Sequence, residues 1–290
     1  MRRTRAPGAA LALAKIVAMS RLLRWLPAAL LCVAACQAAL AQPGKSVYLE
    51  ELTWTELRDA IRAGKTTVIV PVGGTEQSGP HIVLGKHNVR VKVLAGRIAA
   101  SLGNAIVAPV IAYVPEGSID PPAGHMRFAG TISIPEAAFE ATLEGAARSF
   151  RRHGFRDIVL IGDHGGYQKS LAKVAARLDG EWAKEASPAR VHAVEEYYRA
   201  SEREFAATLR TLGFSDAEIG VHAGAADTSL ALAADEQLVR SARLHDGSAL
   251  GPAAGVQGDP RRASAAAGKT GLDAIVARTR EAIERDVARH

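Results

Sequence analysis

The histidines and carboxylates of this chain gather in short glycine-rich stretches. Gly73-Gly74-Thr75-Glu76-Gln77-Ser78-Gly79-Pro80-His81 is followed closely by Gly85-Lys86-His87-Asn88. Gly162-Asp163-His164-Gly165-Gly166-Tyr167-Gln168 comes later, and His222 and Asp227 stand five residues apart further on. Imidazole nitrogens and carboxylate oxygens hold divalent cations and carry protons, so these residue types in such loops point to metal-assisted or acid–base chemistry. Cys32 and Cys36 are the only cysteines and both lie near the N-terminus, which leaves the rest of the chain without thiolate ligands or disulfides. A metal site there must be built from His, Asp and Glu.

The elements that position these loops follow from hydrophobic patterning. Apolar runs of strand length cover Thr66 to Val72, Ala105 to Val110, Asp157 to Ile161 and Val191 to Val194. Between them Phe139, Leu143, Ala146, Ala147 and Phe150 recur at helical spacing up to a stop at Gly154. Leu171, Val174, Ala175, Leu178 and Trp182 mark a second helix, and Leu272, Ile275, Val276, Ile283 and Val287 a closing one. Alternating units of this kind predict an α/β fold with a mainly parallel sheet. The stretch from Leu244 to Gly271, rich in Gly, Ala, Pro and Arg, reads as a long surface loop or a subunit contact. In open parallel sheets ligands bind beyond the carboxyl ends of the strands, where the Glu76 and His164 loops emerge.

Residues 1–41 read as an export signal, with Arg21 and Arg24 before an apolar run and Ala39-Leu40-Ala41 as a cleavage site. Two outcomes are open: soluble periplasmic or secreted protein, or a lipoprotein anchored through Cys36 after the Val33-Ala34-Ala35 lipobox-like triplet. Met19 is an alternative start. Residues 42–290 then form a single domain, long enough for one sizeable core. The leader carries six basic and no acidic residues, so the formal charge of +6 becomes 30 basic against 30 acidic residues in the remainder. That balance removes the argument for a nucleic-acid partner.

Four motifs together resemble the creatininase family. Glu76-Gln77-Ser78-Gly79-Pro80-His81 is similar to its Glu-Gln-His-Gly-Pro-His loop, and Gly162-Asp163-His164-Gly165-Gly166-Tyr167 to its Asn-Gly-His-Gly-Gly-Asn loop. His222-Ala223-Gly224 with Asp227-Thr228-Ser229, and Phe128-Ala129-Gly130-Thr131, match two further signatures, and the likeness runs over residues 50–285. The resemblance implies a three-layer αβα sandwich, two divalent ions bridged by a carboxylate, and a metal-activated water that cleaves a cyclic or small linear amide. It also implies self-association into a homo-oligomer.

Carried over residue by residue, the resemblance puts Glu76 and His164 at metal-ligand positions. Ser78, however, stands where the family has its early histidine ligand, and His87 where it has the bridging aspartate. An imidazole offers one lone pair to one metal, whereas a carboxylate can bridge two. The expectation is therefore one ion, zinc or else manganese, held by Glu76, His87 and His164 with an open position. His222, Asp163 and Asp227 are the expected proton-transfer residues, Asp163 being able instead to orient His164 or join the metal. His81, Ser78, His125 and Tyr167 are expected on the substrate side, His81 either as a ligand or as a brace for its loop. His125 lies in Pro121-Pro122-Ala123-Gly124-His125-Met126-Arg127-Phe128, long enough for a flap near Glu116 and Asp120.

A catalytically silent relative that binds a small molecule is the competing function. A serine hydrolase lacks its Gly-x-Ser-x-Gly elbow here, and a dinucleotide enzyme lacks Gly-x-Gly-x-x-Gly after the first strand.

Overall fold

Four short strands pair in the order β2-β1-β3-β4, all parallel: β1 is Thr67–Val72, β2 Ala105–Val107, β3 Asp157–Gly162 and β4 Arg190–Ala193. These belong to a computed structural model that describes residues 46–244 and 251–289. The expected leader, its Ala41 cleavage site and Cys36 lie outside the described residues. No helix among those described is long and apolar enough to cross a membrane.

Every residue of β1 is buried, as expected when helices cover both faces of a parallel sheet. Val68, Val70 and Val72 point to one face, where α1 (Trp54–Arg62), α3 (Glu136–His153) and α4 (Gln168–Lys184) pack with Phe139, Leu143, Leu171 and Trp182. Ile69 points to the other face and meets α2 (Lys86–Leu102) through Val91, Leu94 and Ile98. The same layer holds α5 (Glu196–Arg199), a π-helical turn at Ala200–Glu204, α6 (Phe205–Thr211), α7 (Asp216–Ile219), α8 (Ala225–Ala234) and α9 (Ala265–Val287). The molecule is an αβα sandwich.

Two sequence expectations are corrected. The second strand ends at Val107, three residues early, and the supposed loop up to Gly271 gives way to helix from Ala265, capped by the Ser264 side chain on the Ala267 N–H. Glycine misled that reading, because Gly268 serves packing. A Cβ there would lie 1.8 Å from the Ser229 carbonyl oxygen, so α9 and α8 approach backbone to backbone. Gly268→Ala should lower the free energy of unfolding by about 1–3 kcal/mol, the usual cost of overpacking. Urea titration of both proteins measures it, and an unchanged midpoint would refute the close approach.

The β2 edge of the sheet is not left open. The Val107 N–H donates to the Val47 carbonyl at 2.7 Å, Tyr48 bridges Val107 in parallel, and the Tyr48 hydroxyl donates to the Lys92 carbonyl at 3.3 Å.

Candidate metal centre

Strand order places β2 and β3 on opposite sides of β1, so the chain runs outward both ways from β1 and its carboxyl rim opens a crevice. The Glu76 loop leaves β1 at that rim and the His164 loop leaves β3. Tyr167 knits the two together: its hydroxyl accepts from the Asp163 and His164 N–H groups, both at 3.1 Å, and donates toward the Val72 and Gly73 carbonyls. Tyr167 is 1 % exposed, so it braces the rim and does not face substrate as expected. Gly74, at φ +149°, lets backbone pass where a Cβ would lie 2.6 Å from Glu116 Oε1.

Glu76 is fully buried at the centre. Its Oε1 accepts from His87 Nε2 at 2.7 Å and lies 3.6 Å from Lys86 Nζ. Its Oε2 has no hydrogen-bond partner, although His125 Nε2 and His164 Nε2 stand 3.5 and 3.6 Å away. Among the described residues, Glu76, His125 and His164 are the group whose ligand atoms could all reach one ion. Burial works to raise the Glu76 pKa, but the hydrogen bond and charge of His87, with Lys86, hold it far below the usual carboxylate range. Burial pushes His164 down to about 4, which keeps its imidazole neutral, and its Nδ1 accepts from the Gly166 N–H at 3.2 Å.

His87 is where the expected ligand set changes. Its Nδ1 is 2.6 Å from Asp163 Oδ2 and its Nε2 is engaged by Glu76, so neither nitrogen faces the cavity free. Burial and Lys86 would lower its pKa, yet the hydrogen bonds to Asp163 and Glu76 outweigh them and raise it. His87 thus lies buried between two carboxylates, while Glu76, His125 and His164 form the group that could hold an ion.

Asp163 and Asp227, expected to move protons, are committed elsewhere. Asp163 accepts from Arg90, from His87 and, at 2.7 Å, from the Tyr197 hydroxyl. Asp227 pairs with Lys86 and, at 2.8 Å, with Arg90, and accepts from the Ala223 N–H at 3.1 Å. Burial opposes ionisation of Asp227, but Lys86 and Arg90 hold it well below the usual range. Lys86, Arg90 and His87 therefore stand among three carboxylates, Glu76, Asp163 and Asp227. Lys86 and Arg90 were missed in the sequence because charges at a helix start pass for solvated ones. The signal was their sign, since cations at a helix N-terminus oppose the macrodipole and need buried acids nearby.

His222 lines the same cavity. Its Nε2 lies 2.9 Å from the Gln77 carbonyl oxygen and 3.1 Å from Gln77 Nε2, and its Nδ1 stands 3.8 Å from Glu76 Oε1. Burial and the Lys86 charge lower its pKa to about 4. His81 contacts Thr228 Oγ1 at 3.0 Å from a buried position, tying the β1 loop to α8 and not facing substrate. Ser78 is likewise fully buried, its Oγ without a hydrogen-bond partner. Glu116, unassigned by sequence reasoning beyond its proximity to the flap, stands with Oε2 3.6 Å from His164 Nδ1 and both oxygens unpartnered. Burial and the Glu76 charge raise its pKa to about 8. The cavity above these groups measures about 240 Å³ and is walled by Ile219, Val221, Leu230, Tyr198, Glu202 and Gln257.

A family profile described as creatininase, creatinine amidohydrolase, matches residues 50–283. This chain belongs to the creatininase family. The Pseudomonas putida creatinine amidohydrolase is 33% identical over 127 residues, 44% of this chain and 47% of that protein. A mycofactocin precursor peptide peptidase of Mycolicibacterium smegmatis is 38% identical over 116 residues, 38% of this chain and 44% of the relative. These matches span about half the length of the curated relatives. A solved creatininase in a manganese form superposes with a TM-score of 0.69 at 27% identity, covering 84% of this chain and 99% of that one. Fold and family agree with the donor set found at the rim, which fits a divalent metal.

Proposed function

We propose that this chain is a metal-dependent amidohydrolase that cleaves a C–N bond of a cyclic or small linear amide at a single divalent ion held by Glu76, His125 and His164. The observation that carries this is Glu76 Oε2, an ionised oxygen buried without a hydrogen-bond partner and faced by two imidazole nitrogens at 3.5 and 3.6 Å. A buried charged oxygen left unpaired is costly, and a cation at that point removes the cost. Two imidazoles and one carboxylate are a common catalytic zinc set, which makes zinc the first expectation and manganese the second. When bound, such an ion supplies a Lewis acid and a water that ionises near neutrality.

The chain's own groups account for the rest. His222, held against Gln77 through Nε2 with Nδ1 3.8 Å from Glu76 Oε1, accepts a proton beside the centre and returns it to the departing nitrogen. Lys86, fixed by Asp227, holds positive charge 3.6 Å from Glu76 Oε1 and so favours negative charge developing on a substrate nearby. A cavity of about 240 Å³ lies below the range of about 300–1,000 Å³ typical of drug-sized ligands, which favours a small amide over a long peptide. The reading includes export, as expected from the leader, and assembly into a homo-oligomer.

Metal analysis of purified protein should find about one equivalent of zinc or manganese per chain, with hydrolysis in a screen of cyclic amides and formamides. Two tightly bound equivalents would overturn the single-ion reading. No metal and no turnover would leave a small-molecule-binding protein.

A further inference from the structure

Most charges around the cavity are matched within the protein, and one carboxylate is not. Lys86 and Arg90 both pair with Asp227, and Arg90 pairs with Asp163 as well. Glu202 lines the wall of the same cavity beside Tyr198 and Ser201. Cations near its turn are engaged by other acids, Arg199 by Glu195 at 3.2 Å and Arg278 by Glu204 at 3.0 Å. Arg203, next in the chain, is exposed, and among the described residues Glu202 forms no ion pair with it or with any other cation.

The backbone brings Glu202 to that wall through the π-helical turn Ala200–Glu204 between α5 and α6. Such turns are rare and recur at functional sites. Ala200 and Ser201 are buried, the Ser201 hydroxyl donates to the Tyr198 carbonyl at 2.8 Å, and Glu202 follows at the cavity wall where solvent reaches it. Enough protein surrounds the carboxylate that desolvation, with the charge of Asp227 added, raises its pKa. A cation entering the cavity would favour its ionised form. Other parts of the wall are hydrocarbon: Ile219, Val221 and Leu230, with Val221 74 % exposed.

Resting on the hydrolase reading above, we propose that Glu202 is a specificity-determining residue and that the substrate is a small amide carrying an ammonium or guanidinium-like cation on a short hydrocarbon frame. The cation pairs with Glu202, the frame lies on Val221 and Leu230, and the amide is left to the Glu76–His125–His164 centre. The cavity of about 240 Å³ suits a compound of that size.

Two lactams of the same ring size separate charge from shape: the lactam of ornithine carries an ammonium group, and δ-valerolactam is its neutral counterpart. With metal-loaded protein at low salt, kcat/KM should be about tenfold higher for the ornithine lactam, a gain between those of exposed ion pairs and of hydrogen bonds to charged groups. The advantage should lie in KM, as for a contact made equally to substrate and transition state, and should shrink with added salt. Glu202→Gln should bring the two lactams level, and Glu202→Lys should put δ-valerolactam ahead. A preference for the ornithine lactam that survives both substitutions would overturn the proposal, since the ammonium group would then be held elsewhere. A wild-type protein indifferent to the ammonium group would overturn it as well. Should neither lactam be cleaved, the hydrolase reading loses support, while calorimetric binding of the same two compounds still decides the role of Glu202. Tighter binding of the ornithine lactam that is lost in Glu202→Gln upholds it, and equal or absent binding overturns it.

Discussion

Glu76→Gln should strip the protein of tightly bound divalent metal and abolish amide hydrolysis while leaving the chain folded. The substitution keeps the shape and removes the charge. With the remaining oxygen still accepting from His87, the Oε2 position becomes an NH₂ group, which cannot anchor a cation between His125 and His164. Loss of groups that merely orient ligands costs about 10–100-fold in metal affinity or activity, and loss of the only charged ligand should cost at least as much. Metal content after dialysis against a chelator, together with kcat/KM on the substrate found by screening, checks it. A variant that retains one equivalent of metal would show that Glu76 is not the anchor. His125→Ala should reduce metal retention as well, whereas His87→Gln should affect it far less.

Asp227→Ala should damage folding more than chemistry. Among the described residues Asp227 is the carboxylate that pairs with both Lys86 and Arg90, each nearly fully buried, and its removal leaves Lys86 with Glu76 at 3.6 Å. Removing one member of a buried ion-pair network costs about 3–5 kcal/mol, because an uncompensated charge stays behind. That is a large share of a typical total stability of about 5–15 kcal/mol. Denaturant titration monitored by tryptophan fluorescence and circular dichroism measures the loss. A direct proton-transfer role predicts the opposite pattern, normal stability with kcat collapsed. Asp227→Asn, which keeps acceptors for both cations, should fall between the two.

Much of the scaffold was legible from apolar runs. β1 and β3 read clearly because strands buried on both faces lose the polar alternation and become continuous runs of Val, Ile and Leu. The α9 start was not legible, since Gly268 and Gly271 carry the composition of a loop while serving close helix packing. For the centre, Glu76 and His164 could be singled out because each follows a strand in a glycine-rich turn. His125 could not be placed beside them. It comes from a separate segment after β2, and only the folded chain shows that its ring ends 3.5 Å from Glu76. For His87 the obstacle is related: spacing places it near Glu76 but cannot say that Asp163 claims its other nitrogen. A ligand differs from an ion-pair partner in what lies behind it, and that information is tertiary.

The residues just ahead of α1 also set a limit for anyone trimming the gene for expression. Because Val47 and Tyr48 occupy the outer hydrogen-bonding side of β2, a shortened version beginning after Tyr48 would present bare strand backbone to its neighbours. Such an uncovered border is a template for unwanted pairing between molecules, so recombinant versions should begin no later than Ser46.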